Sequence, residues 1–117
     1  MKKAIYMLIA LAIMSGSLFA SESFLIQSEI IKNGKIIGSP MLLVPFKQAG
    51  AVEQKTSQNS YELLAEVDQR KSNAVIVYTN LTLNGKFHKQ KSLIVLNKIQ
   101  TISMGDVSIK MKITPHL

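Results

Sequence analysis

Apolar and polar residues alternate with a period of two over most of the chain beyond residue 20. The pattern is clearest in residues 74–83 and 107–114, where Val75, Leu81, Val107 and Ile113 belong to faces that are predicted to be buried. A period of two is that of a β-strand with one face on the core and one in water. The pattern therefore predicts an all-β chain.

Shorter apolar runs predict further strands at 24–32, 35–37, 41–44, 92–96 and 99–104. Residues 61–68 also alternate, although their many helix formers and the possible cap Ser60 leave a helix over 61–70 as the alternative. Residues 47–60 are predicted as a loop with at most a short strand near Ala51-Val52. Residues 69–73 are predicted as a charged turn, and Pro115 is predicted to end the last strand.

Two Asn-Gly pairs, Asn33-Gly34 and Asn84-Gly85, lie in similar surroundings. Asn-Gly suits a two-residue hairpin turn, because both residues tolerate positive φ. A shift of 51 positions places one pair on the other, and residues 24–51 then fall on 75–102. This indicates an internal repeat, 24–67 and 75–113, of two similar units of about 50 residues.

Each unit is too small to bury both of its faces, so the two units are expected to pack together. The predicted fold is a two-sheet β-sandwich or a partly open barrel of about seven or eight strands. The repeat places Ile30, Leu42, Leu81 and Leu93 at matching positions in one shared core.

The first twenty residues have the layout of a secretory signal peptide. Lys2 and Lys3 precede the uncharged run 4–14, and a cleavage site is predicted after Ala20. Residues 1–20 are therefore predicted to be a signal helix and residues 21–117 a β domain of the bacterial periplasm or of the secreted fraction. The alternative is an uncleaved segment that anchors the chain in the inner membrane.

Cysteine is absent from the sequence, which excludes disulfides, thiolate chemistry and a lipid anchor on cysteine. Residues 80–117 contain six lysines and one acid, Asp106, so the positive charge is concentrated there. A basic group surrounds the second Asn-Gly turn, and further lysines are predicted on the same side of the fold. The candidate binding residues are Lys86, His88, Lys89, Lys91, Lys98, Lys110 and Lys112.

The residue types required for catalysis are not arranged in any recognisable motif. The two histidines, His88 and His116, have no metal-ligand spacing, no Gly-x-Ser-x-Gly is present, and the glycines form no phosphate loop. We therefore predict no catalytic residue, no metal site, no cofactor and no enzymatic activity. Nucleic acid is not expected as a partner, because Phe87 is the only aromatic residue in the basic cluster.

Residues 33–44 and 47–52 resemble a β segment of outer-membrane secretins and of similar small exported bacterial proteins. In that segment a strand that opens on proline, here Pro40, is followed by apolar residues and a Gln-x-Ala-type turn, here near Gln48. The chain is far too short for the ring-forming body of a secretin, and its second unit has Lys91 in place of Pro40. The resemblance implies an envelope-associated β module and assigns no functional residue.

These observations favour a non-catalytic interaction module that binds a protein partner through a sheet edge or the basic hairpin. The first alternative is a binder of anionic envelope lipid or glycan through the lysines. The second alternative is a small hydrolase or an enzyme inhibitor.

Overall fold

Strands account for 77% of the computed structural model, which describes residues 22–116. The predicted signal helix over 1–20 lies outside these residues. The strands are β1 (Ser23–Lys32), β2 (Lys35–Gly38), β3 (Met41–Pro45), β4 (Ala49–Lys55), β5 (Ser60–Lys71), β6 (Ala74–Leu83), β7 (Lys86–Val95), β8 (Gln100–Met104) and β9 (Val107–His116). No helix occurs in the described residues, so the all-β prediction is confirmed.

The strands form two antiparallel sheets that pack face to face. In the first sheet β1 pairs with β9, β9 pairs with β8, and β2 and β3 share the other side of β1. The second sheet is the meander β4-β5-β6-β7. The connections from β3 to β4 and from β7 to β8 cross between the sheets, so β3 lies beside β4 at one side of the sandwich and β7 lies beside β8 at the other.

The core lies between the sheets and is built mainly by alternate residues of the four central strands, β1 and β9 in one sheet and β5 and β6 in the other. Each of these strands buries one face, as a period of two requires. The core side chains include Phe24, Ile26, Ile30, Leu63, Val67, Val75, Val77, Leu81, Ile109, Met111 and Ile113.

Several local predictions are wrong in ways that the pairing explains. Residues 49–55 are a strand rather than a loop, because β5 supplies a continuous hydrogen-bonding partner despite their polar composition. The strand predicted over 61–68 is confirmed against the alternative helix, but the turn predicted over 69–73 is wrong, because β5 continues to Lys71 and the turn is only Ser72-Asn73. Residues 86–95 form one continuous strand, whereas the sequence predicts a strand only over 92–96. Likewise β9 passes Pro115 and ends at His116, because its last residues pair with β1.

Both Asn-Gly pairs form the predicted two-residue turns. All four of their residues have positive φ, which is 51° at Asn33 and Asn84, 77° at Gly34 and 83° at Gly85. The turns join β1 to β2 and β6 to β7 in antiparallel register. The sequence signal and the backbone conformation therefore agree at both places.

The two sheets share one strand arrangement. If β1 is placed on β6, then β2 and β3 fall on β7, β9 falls on β5 and β8 falls on β4. Each pair of neighbouring strands in one sheet then corresponds to a pair of neighbouring strands in the other. The hydrogen bonds where the chain crosses between sheets also match. Phe46 N–H donates to Glu22 O and Lys47 N–H to Val67 O, whereas Leu96 N–H donates to Asn73 O and Asn97 N–H to Ile113 O.

One predicted core residue, Leu93, is instead 56% exposed. The cause is a β-bulge between Ile30 and Ile31, which gives the first hairpin one residue, Ile37, more than the second. Beyond the bulge, each residue of β3 therefore corresponds to the residue of β7 that lies 50 rather than 51 positions later in the sequence. A slip of one residue moves a side chain to the other face of a strand, so Leu93 lies outward like Leu43, and Ile94 lies inward like Val44.

Candidate functional site

The most accessible backbone of the sandwich is the outer side of β7, which we call the β7 edge. β7 pairs only with β6 and ends the second sheet. It begins at the Asn84-Gly85 turn and remains in register with β6 from Lys86 to Val95. The outer side of β7 is therefore an open sheet edge from Lys86 to Leu93, and it meets Gln100 of β8 at Val95.

Alternate residues of β7 turn their backbone groups toward this edge. Val95 is one of them, because its N–H donates to the side chain of Gln100 on β8 rather than to β6. In an antiparallel pair these positions recur at every second residue. Phe87, Lys89, Lys91 and Leu93 therefore direct their N–H and C=O groups away from β6.

The side chains of these same residues form an exposed row on the outer face of the second sheet. Lys89 Nζ lies 5.4 Å from the centre of the Phe87 ring, and Lys91 Nζ lies 5.6 Å from that of Tyr78. Cation–π contacts of this length hold the two ammonium groups over the sheet. The outer face beside the β7 edge is therefore positively charged with apolar residues at both ends.

Lys86 and His88 occupy the alternate positions of β7 and lie on its inner side. The register pairs them with Leu83 and Leu81, which are buried in the core. Lys86 itself remains exposed, whereas His88 is partly buried. The four predicted residues of the basic hairpin thus divide between the two faces of one strand.

The remaining predicted lysines do not join them. Lys110 and Lys112 alternate with buried Ile109 and Met111 on β9, so they lie on the outer face of the first sheet. That face points away from the outer face of the second sheet, on which Lys89 and Lys91 lie. Lys98 is exposed in the connection between β7 and β8.

A cleft of about 690 Å³ opens between the first half of β7 and the β8–β9 turn; we call it the edge cleft. β8 has five residues and β7 has ten, so the first half of β7 faces the end of β8 and the β8–β9 turn rather than a full-length strand. The lining of the cleft is Lys86, Phe87, His88, Lys89, Gln90, Ser103, Met104, Gly105 and Asp106. His88 Nε2 is buried and has no hydrogen-bond partner in the described part of the chain.

The opposite corner of the sandwich is closed by Tyr61, which is 3% exposed. Its hydroxyl donates to Gln54 Oε1 at 2.7 Å. Its ring lies over Gly38, where an added Cβ would lie 2.5 Å from Tyr61 Cε2. Burial raises the pKa of the Tyr61 hydroxyl above its ordinary value of 10.0.

A second groove, of about 460 Å³, crosses the outer face of the first sheet. Its edges are the exposed side chains of Met41 and Ile99, and Lys110 and Lys112 lie between them. Glu29 lies opposite Lys110 on β1 and offsets part of the positive charge. This groove and the edge cleft are on different sides of the molecule.

Sequence reasoning missed the half of the edge cleft that β8 and β9 contribute. Met104 and Asp106 are remote from residues 86–90 in the sequence, and only the crossing of the chain between sheets brings them near. The exposure of Leu93 was also missed, since no sequence signal marks the bulge at Ile30.

Comparisons with protein-family models, with curated proteins and with solved structures found no match to this chain. A search of residues 22–116 found no helix that is long and apolar enough to cross a membrane. Within the same residues, no group of three or more His, Asp or Glu side chains is placed to hold a metal ion.

Proposed function

We propose that this chain is an exported, non-catalytic module of the bacterial envelope that binds an extended segment of a protein partner along the β7 edge. The observation that carries the proposal is a sheet edge that stays open from Lys86 to Leu93, before β7 meets Gln100 of β8 at Val95. Such an edge offers a row of free N–H and C=O groups, to which a partner can add as a further strand. The signal-peptide pattern of residues 1–20 supports export.

The other sheet edges are less suitable for strand addition. The edge formed by β2 and β3 is interrupted by the bulge at Ile30 and by Pro40, which has no N–H. β8 has only five residues, and β4 has seven. The β7 edge is therefore the longest regular edge in the described part of the chain.

The lysines of β7 indicate which partner would be accepted. Lysine on an edge strand discourages pairing between two copies, since like charges would lie opposite each other. An acidic segment would instead place carboxylates beside Lys89 and Lys91. The β7 edge therefore favours a negatively charged partner segment over a second copy of the chain.

The division of the lysines between opposite outer faces disfavours the alternative of an anionic lipid or glycan. A flat anionic surface that contacts Lys89 and Lys91 would not reach Lys110 and Lys112. Lysines that act separately attract an anionic surface only weakly at physiological salt, because dissolved ions screen each charge over about 8 Å.

We further propose that the two strand arrangements are copies of one unit, with the bounds 24–67 and 75–113 that the sequence predicts. The matching registers of the two sheets support this interpretation. The only two buried polar side chains among the described residues, Ser28 and Thr79, also lie 51 positions apart. The copies would differ mainly at their corners, where only the second unit leaves a long regular edge.

A proline on the β7 edge tests the proposal. Lys91→Pro removes an N–H that points away from β6, so the fold should persist while strand addition is blocked. The probe is a ten-residue peptide of alternating Glu and Thr, and its affinity is measured by isothermal titration calorimetry. We expect Lys91→Pro to abolish binding and the matched control Lys91→Ala, which loses the same charge but keeps the N–H, to retain it more weakly. Equal binding to the wild type and Lys91→Pro would contradict the proposal.

A further inference from the structure

The edge cleft and the closed corner at Tyr61 are equivalent places in the two sheets, and the strand registers show this residue by residue. Ile30 pairs with Gly38 and the matching Leu81 pairs with His88, so His88 stands where the other corner has Gly38.

Two more exchanges complete the comparison. Tyr61 pairs with Leu83 in the second sheet. Lys32 is the equivalent of Leu83 in the first sheet, and it pairs with Val107. Val107 therefore stands in the place of Tyr61. Gln54 pairs with Tyr61 and Met104 pairs with Val107, so Met104 stands in the place of Gln54.

The closed corner is thus filled by an aromatic ring whose polar tip is satisfied. The corner at β7 lacks that ring, because Val107 is much smaller than tyrosine. It also has an unsatisfied polar atom, His88 Nε2, and Met104 stands where the other corner has the amide of Gln54. An unsatisfied buried nitrogen is costly, and a hydrogen bond from a ligand would remove the cost.

We infer that the edge cleft takes a tyrosine-like side chain from the segment bound at β7, with its ring against Met104 and its hydroxyl donating to His88 Nε2. This inference rests on the proposed strand addition. Because side chains of an added strand alternate between faces, the tyrosine would enter the cleft while its sequence neighbours lie on the outer face. Those neighbours would be acidic, to meet Lys89 and Lys91.

The partner segment is therefore an extended acidic peptide with tyrosine between two acidic residues. The aromatic ring supplies most of the affinity, since a buried ring removes about 150–250 Å² of surface from water. The hydroxyl supplies selectivity, because phenylalanine would leave His88 Nε2 unsatisfied.

The test uses three versions of the alternating Glu and Thr peptide, with Tyr, Phe or Ala at its central inward position. Affinities are measured by calorimetry for the wild type and for His88→Ala. The wild type should bind the Tyr peptide at least about tenfold more tightly than the Ala peptide and about fivefold more tightly than the Phe peptide. In His88→Ala the preference for Tyr over Phe should disappear.

A second variant tests the space in the cleft as well as the hydrogen bond to His88. Val107→Tyr combined with Met104→Gln and His88→Gly copies the residues of the closed corner and should fill the cleft from within. We expect this variant to bind the Tyr and Ala peptides equally. Thermal unfolding establishes that each variant is folded, and Lys110→Ala serves as the control.

The outcomes separate this inference from the function on which it rests. If the wild type binds the three peptides equally, the tyrosine site is wrong while strand addition stands. If none of the peptides binds, both are overturned. If the preference for Tyr over Phe survives in His88→Ala, the assigned role of His88 is wrong.

Discussion

At the scale of single residues, the two sheets treat equivalent polar side chains differently. Ser28 and Thr79 are both buried at matching depth in β1 and β6. Ser28 Oγ donates to Pro40 O at 2.9 Å, whereas Thr79 Oγ1 has no partner in the described residues. The bent segment at Ser39-Pro40 supplies an acceptor that the regular strand β7 does not.

Replacing these residues should therefore have opposite effects. Thr79→Val removes a buried hydroxyl without partner and keeps the shape, so it should raise the free energy of unfolding by about 1 kcal/mol. Ser28→Ala removes a satisfied hydroxyl and should lower it by about 1 kcal/mol. Urea unfolding of both variants checks this pair, and a loss of stability in Thr79→Val would show that its hydroxyl is satisfied in solution.

The glycines of the two Asn-Gly turns should be equally sensitive to substitution. No atom lies within 4 Å of a Cβ added at Gly34 or Gly85, so the cost comes from positive φ and not from a collision. Gly34→Val and Gly85→Val should each lower stability by about 1–2 kcal/mol. Asn in place of either glycine should cost less, because Asn tolerates positive φ. Thermal unfolding measures the stability of all four variants. A Gly85→Val variant as stable as the wild type would show that the positive φ at residue 85 carries no such cost.

Tyr61 should make stability depend on alkaline pH. Because its pKa is raised in the folded protein, the unfolded chain loses the phenolic proton first. The unfolded state then binds fewer protons, so stability falls as pH rises above about 10. Tyr61→Phe should cost about 1 kcal/mol at neutral pH through the lost bond to Gln54.

The difference between the wild type and Tyr61→Phe should therefore shrink above about pH 10. Urea unfolding of both proteins from about pH 7 to pH 11 measures it, and effects of the lysines cancel in the comparison. A difference that stays constant or grows over this range would mean that burial does not perturb the hydroxyl.

At the scale of strands, the sequence predicts alternation well and edges poorly. The buried faces of β6 and β9 follow directly from their period of two, and the Asn-Gly turns follow from residue chemistry. β4 was missed because its polar composition hides a strand that β5 stabilises through backbone pairing. Leu93 was misplaced because a single inserted residue at the Ile30 bulge reverses the faces of the strand residues beyond it.

The candidate site shows the same limit. The basic residues of β7 can be found from composition, but their division between two faces depends on register. The edge cleft depends on the unequal lengths of β7 and β8 and on the exchange of Tyr61 for Val107 at equivalent corners. Such comparisons require the pairing of strands that are far apart in the sequence.

At the scale of the whole molecule, the matching sheets predict tolerance of circular permutation. Ser23 pairs with His116, so the ends of β1 and β9 lie side by side. Asn73, in the β5–β6 turn, holds the same place before β6 that Glu22 holds before β1. A permutant that begins at Asn73 and joins Leu117 to Glu22 through a short glycine linker should fold cooperatively into the same sandwich.

Circular dichroism and amide NMR spectra compare this permutant with the parent chain. A control permutant opened between Leu64 and Ala65, within a central strand, should fail to fold. If the permutant opened at Asn73 also fails, the two sheets are not equivalent in the way proposed.

Strand addition at β7 can be observed by amide hydrogen exchange with and without the tyrosine-containing acidic peptide. Exchange at Phe87, Lys89, Lys91 and Leu93 should slow by at least about tenfold, because a bound strand would accept hydrogen bonds from these N–H groups. Exchange along β4, the other edge of the same sheet, should not change. Peptide binding that leaves the β7 amides unprotected, or protects β4 instead, would contradict strand addition at β7.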